Sequence, residues 1–390
     1  MDLLAVRAAR LFDGESDLLT EDPVVVIDGH RVHAVLQGEP PEGAEVVDLG
    51  DATLLPGLVD AHMHLAFDAG PDPVASLAAR DDAQALDAMR AAARAALDAG
   101  ITTVRDLGDR GFLSLPLRDE LARDPAAGPE LLVAGPPITL PQGHCWYLGG
   151  EAKGVDALRA AVRERAERGT DVVKVMASGG FLTPGTRTHE AQYSRAELRA
   201  VVDEAHRAGL PVAAHAHAAE AIAFAVDAGV DSIEHCSFVG EHGIEPRAEV
   251  IEAIVRTRTP VSVTFGTLPG AQPPPAVAAL LPSIVALVGR LRDAGAELVF
   301  STDAGIGPPK PHGVLPHTIG ATARLFGMPP AEALRSITSR AAALCRVGDR
   351  KGRIAPGYDA DLLAVAGDLL GDPAALLDRR AVFRAGRRVR

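Results

Sequence analysis

Cysteine is scarce in this chain: three in 390 residues, Cys145, Cys236 and Cys345, far apart and odd in number. That usage fits reduced thiols and excludes a disulfide framework. Basic clusters are missing as well. No lysine and arginine run precedes the last few residues, and a formal net charge of -13 speaks against a nucleic-acid surface. The opening stretch MDLLAVRAARLFDGE lacks a basic region followed by an apolar one. No later segment runs some eighteen apolar residues without a charge. The expectation is a cytoplasmic protein with no membrane partner. What is present is length enough for a sizeable core in one large domain or two ordinary ones.

From about residue 83 the chain repeats one pattern: an alanine-rich amphipathic helix, a glycine, then a short β-branched strand. AQALDAMRAAARAALDAG leads to ITTVRDLG, DALRAAVRERAERG to TDVVKVMASGG, and SRAELRAVVDEAHRAG to LPVAAHAHA. AEAIAFAVDAG then leads to VDSIEHCS, and IVALVGRLRDAG to AELVFSTDAG. Gly100, Gly169, Gly209, Gly229 and Gly295 stand where a helix end calls for a left-handed residue. Ser194 and Glu197 form a capping-box pattern at the start of one helix. With TLLPGLVDAHMH, ELLVAGPPIT and PVSVTFG the strands number eight, the count that closes a parallel barrel. A doubly wound open sheet is the alternative, but no glycine-rich phosphate loop follows any strand. The fold class predicted is therefore α/β, a (β/α)8 TIM barrel over residues 56–350.

The two ends break the pattern. Residues 1–55 hold LLAVRAARLF, PVVVIDGHRVHAVL and AEVVDL, with an Asp-Gly turn signal between two of the strands. Residues 351–390 return to strand patterning. Neither piece alone buries a core, so together they are expected to form one small β-sandwich domain beside the barrel.

In a barrel of this kind the functional side chains gather at the C-terminal ends of the strands. LVDAHMHLAFD puts His62 and His64 two apart on the first strand, pointing the same way, so their imidazoles can converge. Lys174 ends the fourth strand, His215 with His217 the fifth, His235 the sixth and Asp303 the eighth. Each is a metal ligand or can become one. Lys174 lies within the apolar run DVVKVMASGG, where an ammonium is costly to bury. A neutral amine there can add carbon dioxide to give a carbamate, whose two oxygens can bridge two cations. A snorkelling or salt-bridged lysine is the competing reading.

LLPGLVDAHMH, VVKVMASGG, AAHAHAAEAI, DAGVDSIEHC and FSTDAG, with GRIAPGYDADLL behind them, resemble the metal-dependent amidohydrolase superfamily. Within it the chain is most similar to the imidazolonepropionase-like and Xaa-Pro dipeptidase-like branch. The resemblance implies that His62 and His64 bind one divalent ion, most often zinc, and His215 and His235 a second. Carboxylated Lys174 bridges the pair, and Asp303 binds the first ion and acts as the base, or serves as a ligand alone. On this strand the family uses its first histidine, which would leave His217 to face the substrate. The implied reaction is hydrolysis of an amide in a small molecule such as an N-acyl amino acid, dipeptide or aryl amide, by a homo-oligomer. A mononuclear cyclic amidase or deaminase, and a catalytically silent scaffold, are the alternatives.

Substrate contacts are expected on two loops. SGGFLTPGTRTHEAQYS, after the fourth strand, is too long for a mere connection and carries His189 and Tyr193. The resemblance suggests that Tyr193 contacts substrate; equally, it anchors the following helix. Arg187 and Arg105 are candidates to pair with a carboxylate. PQGHCWYLGG, after the third strand, brings His144, Cys145, Trp146 and Tyr147 to the same rim, which suggests an apolar or aromatic pocket. Two departures from the family pattern stand near it. His312 and His317 occupy the region where an Asn and a Glu are usual, and Cys236 stands where glycine is common.

Overall fold

The computed structural model describes residues 3–390. Eight short strands carry the parallel part of the fold: β1 (Leu58–Met63), β2 (Ile101–Asp106), β3 (Glu130–Val133), β4 (Val173–Met176), β5 (Val212–Ala218), β6 (Ser232–Gly240), β7 (Val261–Val263) and β8 (Leu298–Phe300). β1, β2 and β4 are buried along their whole length, as parallel strands covered on both faces must be.

Their pairing follows chain order in two arcs, β1 to β3 and β4 to β8, with Gly243–Ile244 turning back antiparallel on β6. The regular eight-strand ladder predicted from the sequence is not formed. Isolated bridges join the arcs instead, Ile138 to Val175 at one seam and Met63 to Ala304 at the other. At these seams Ile138 N–H donates to the Lys174 carbonyl at 2.8 Å and His64 N–H to the Ala304 carbonyl at 3.0 Å. The chain just beyond β3 and β8 thus does the pairing, and Lys174 and the first histidines stand on either side of it.

Helix Asp82–Asp98 shows why the outer layer forms. Asp81 and Gln84 make a reciprocal capping box, and the buried positions 85, 89, 92, 93, 96 and 97 lie along one face. The box predicted at Ser194 and Glu197 is present too, and all five helix-ending glycines have φ between +76° and +88°.

The terminal segments form two further sheets. One holds Leu4–Arg7, Pro23–Asp28, Arg31–Gln37 and Glu45–Asp48. The other mixes Arg10–Leu11, Thr20–Glu21 and Ala52–Pro56 with Leu362–Ala366, Arg379–Arg384 and Arg387–Arg388. Val6, Val25 and Ile27 of the first share a buried cluster with Leu54, Leu362 and Phe383 of the second. One helix, Pro275–Asp293, has the length and apolarity of a membrane crossing; it packs inward through Leu287, Val288 and Leu291.

Candidate metal centre

Strand alternation brings His62 of β1 and His64, one residue past its end, to one side, and Asp303, just beyond β8, meets them there. Asp303 Oδ1 lies 3.4 Å from His62 Nε2 and 3.3 Å from His64 Nε2. One donor atom from each of the three falls within 4.8 Å of the others. Behind them, His62 Nδ1 is 2.8 Å from Glu234 Oε2, and Arg105 donates to Glu234 Oε1 at 2.8 Å. A carboxylate only accepts, so His62 carries its proton on Nδ1 and turns the lone pair of Nε2 toward Asp303. His64 Nδ1 likewise donates to the Gly108 carbonyl at 3.2 Å.

A second cluster holds His215, His217 and His235, again with one donor atom each within 4.8 Å. His215 Nε2 donates to the Gly179 carbonyl at 3.2 Å, which leaves Nδ1 free. His235 Nδ1 is 2.8 Å from Thr264 Oγ1, and His217 Nδ1 is 2.6 Å from Ser237 Oγ. The rings of His62 and His235 stand 5.0 Å apart, so the clusters adjoin. Glu234 and His235 are sequence neighbours, and a regular strand would send them to opposite faces. A left-handed backbone at His235, φ +68°, breaks that alternation. Cys236 follows with φ +50°, a left-handed conformation that glycine adopts without strain. Asp303 is left-handed as well, with φ +58°. Such backbone costs about 1–3 kcal/mol per residue and is typical of sites that must aim a side chain.

Lys174 adjoins both clusters. It is 1% exposed, and its Nζ has no hydrogen-bond partner among the described residues. Burial brings its pKa down to about 8, against the pull of Glu234 and Asp303. Its charge in turn depresses His62, His215, His217 and His235, members of both clusters. Burial is the largest cause for each of these imidazoles, taking His62 and His217 to about 4. They are therefore neutral at pH 7, the form that binds metal. Burial alone would raise Asp303, but His62, His64 and Lys310 hold it well below the usual carboxylate range.

One cluster of two imidazoles and an acid oxygen, and one of three imidazoles, beside an orphaned buried amine fit divalent cations by donor type. The same side chains would be an expensive way to fill a core. Glu234 was missed in the sequence, yet the signal was present. SIEHC puts an acid, and TTVRDLG a base, within apolar strands, the same oddity that singles out Lys174.

The expected substrate contacts divide. His144 is buried, its ring 4.6 Å from that of His215, and its Nδ1 is unpartnered. Trp146 is exposed, and Tyr147 is half-buried with its hydroxyl 3.6 Å from Cys145 Sγ. His217 joins the second cluster as a donor equal in position to His215. Tyr193 does not face the site: it is buried, and its hydroxyl donates to the Ala152 carbonyl at 2.8 Å, the anchoring role. His189 is half-buried in its loop and belongs to neither cluster. Arg105 is sealed inside with Glu234, and exposed Arg187 pairs with Glu190 at 2.7 Å. His312 Nε2 donates to the His64 carbonyl at 3.1 Å, holding that residue's backbone from behind. His317 is half-buried beside Arg379, away from the clusters.

The amidohydrolase family matches residues 53–389. Ochratoxinase from Aspergillus niger is 28% identical over 363 residues, covering 84% of this chain and 73% of its own. Imidazolonepropionase from Paracoccus denitrificans is 29% identical over 351 residues, covering 81% and 79%. A crystal structure of a Xaa-Pro dipeptidase with methionine in its active site superposes with a TM-score of 0.88 at 29% identity, covering 99% of each chain.

Proposed function

The chain belongs to the amidohydrolase family, and from that premise we propose that it is a binuclear metal-dependent hydrolase that cleaves an amide bond in a small molecule. The observation that carries the reading is the partnerless, fully buried amine of Lys174 beside two clusters of ligand atoms. His62, His64 and Asp303 would hold one divalent ion, His215 and His235 the other, with zinc suited to this donor set. His217 is placed either to complete the second set or to face substrate. Lys174 would contribute to both sites as a carbamate: its amine nitrogen would bond to carbon dioxide and release one proton to solvent, leaving an anion whose oxygens can bind cations.

Cations bound there supply Lewis acidity, polarising a carbonyl and lowering the pKa of a water toward neutrality. The protein's own groups do the rest. Asp303, held ionised by His62, His64 and Lys310, would take a proton from the attacking water and pass it to the leaving nitrogen. Glu234, fixed by Arg105, holds His62 in the tautomer that presents Nε2. The neutral His144 beside His215 is available to hydrogen-bond the substrate as it turns over.

We also read the two parallel arcs as one eight-strand barrel spanning residues 56–350, and residues 1–55 with 351–390 as a separate β-sandwich. The shared cluster of the terminal sheets supports this division. Similarity to ochratoxinase, imidazolonepropionase and a Xaa-Pro dipeptidase favours a carbon–nitrogen bond as the target.

Metal analysis of protein reconstituted with zinc and bicarbonate, together with an amide and ester screen, tests the proposal. Two equivalents per chain and amide turnover are expected. One equivalent would favour the mononuclear deaminase or cyclic amidase reading, and none a silent scaffold.

A further inference from the structure

The chain has ten phenylalanines, three tyrosines and one tryptophan. Among the described residues only Trp146 and Phe181 are exposed, at 43% and 48%. Both stand on loops that border the ligand clusters, and each begins a path of rings inward. Phe181 meets His217 edge-on, centroids 5.2 Å apart. Trp146 is 6.2 Å from Tyr147, which is 6.4 Å from Phe67, which is 5.7 Å from His64. One path thus ends at each cluster.

The two loops are fastened together. Cys145 N–H donates to Thr183 Oγ1 at 2.9 Å. The His144 ring fills the space that a side chain at residue 180 would need, since a Cβ on Gly180 would come within 2.4 Å of it. Trp146 and Phe181 are therefore held by one assembly of defined geometry rather than by independent mobile arms. Large apolar rings kept in water carry an unfavourable hydration cost that a bound apolar group removes. Aromatic faces and edges favour another ring as that group.

We propose that Trp146 and Phe181 determine specificity by gripping an aryl group on one side of the scissile bond, so that the substrate class is aryl amides. The inference rests on the hydrolase reading only for what happens to the substrate after it binds.

Trp146 is the sole tryptophan, so its emission reports binding without any turnover. The test titrates metal-free and zinc-loaded protein with acetanilide, N-methylbenzamide and N-methylacetamide. The expected result is a saturable change in emission with an aryl amide and none with N-methylacetamide, in both forms of the protein. Which aryl amide acts tells whether the ring sits on the amine or the acyl side. Phe181→Ala should weaken that binding about threefold to tenfold, the range of one aromatic contact, and Phe181→Tyr should restore it. In the loaded enzyme the ratio of kcat/KM for aryl over alkyl amides should fall with Phe181→Ala by a similar factor. Emission indifferent to all three amides, or responding alike to aryl and alkyl, would overturn the proposal, as would a Phe181→Ala variant with unchanged aryl binding. Aryl binding without turnover would instead count against the hydrolase reading and leave the grip standing.

Discussion

Lys174 and Lys351 are both sealed from solvent, 1% and 2% exposed, and their surroundings are opposite. Lys351 Nζ lies 2.6 Å from Asp361, 3.0 Å from Glu130 and 3.0 Å from Asp359. Arg384 and Arg350 bind the same carboxylates, joining β3 to the terminal sheets. Burial pulls the pKa of Lys351 down, but the carboxylates outweigh it and the net shift is upward. Lys174 has no partner, and burial prevails. An ammonium in a saturated network is a structural cation. An amine left without partners beside two clusters of imidazoles and a carboxylate is poised to become something else.

Replacing each lysine with methionine, similar in volume and apolar, sharpens the contrast most. Lys174→Met should lose most bound metal and with it amide turnover, while the metal-free protein melts at the same temperature or higher, since an unpaired buried amine has been removed. Lys351→Met should do the reverse: metal content is kept, and stability falls by about 3–5 kcal/mol as buried carboxylates lose their cation. Denaturant unfolding and metal analysis on both variants check this. If Lys174→Met destabilised the metal-free fold as much as Lys351→Met, the distinction between the two sites would fail.

Asp303→Asn should keep the fold and lose at least about a hundredfold in turnover, the low end for general acid–base catalysis. Steady-state kinetics at saturating zinc would expose a dispensable Asp303. Glu234→Gln should weaken metal binding about tenfold to a hundredfold, the usual cost of losing the group behind a ligating histidine. Chelator competition measures this, and an unchanged affinity would reduce the Arg105–Glu234 pair to scaffolding.

The smallest expected effect lies in acid. Burial pushes Glu130 up, but Arg350 and Lys351 prevail and hold it at about 2. A carboxylate depressed in the folded state contributes stability above its unfolded pKa of about 4.3, and the contribution disappears as pH falls through about 2. Glu130→Gln should therefore flatten the dependence of unfolding free energy on pH within that window. A wild-type slope in the variant would show that Glu130 is not part of the acid response.

The side chains that meet in the two clusters were legible in the sequence because strand alternation and strand ends are local properties: His62 and His64 are two residues apart, and Lys174 interrupts an apolar run. What lies behind them was not. Arg105 and Glu234 are 129 residues apart, and in isolation Arg105 reads as a surface or substrate-binding cation. Tyr193 reads equally as a substrate contact or an anchor in the sequence; only the placement of its hydroxyl on the Ala152 carbonyl separates the two. The left-handed turn at His235 is likewise a property of backbone, hidden in a segment whose composition reads as plain strand. The eight parallel strands were countable, but nothing local reveals that they form two arcs joined by isolated bridges.

The central claim is that the Lys174 amine carries a carboxyl group shared by two cations. Carbon-13 NMR of protein loaded with zinc in labelled bicarbonate addresses it directly. A carbamate carbon resonance that is absent from Lys174→Met, in protein holding two metal ions per chain, is the predicted result. Fully loaded, active protein with no such resonance would contradict the account.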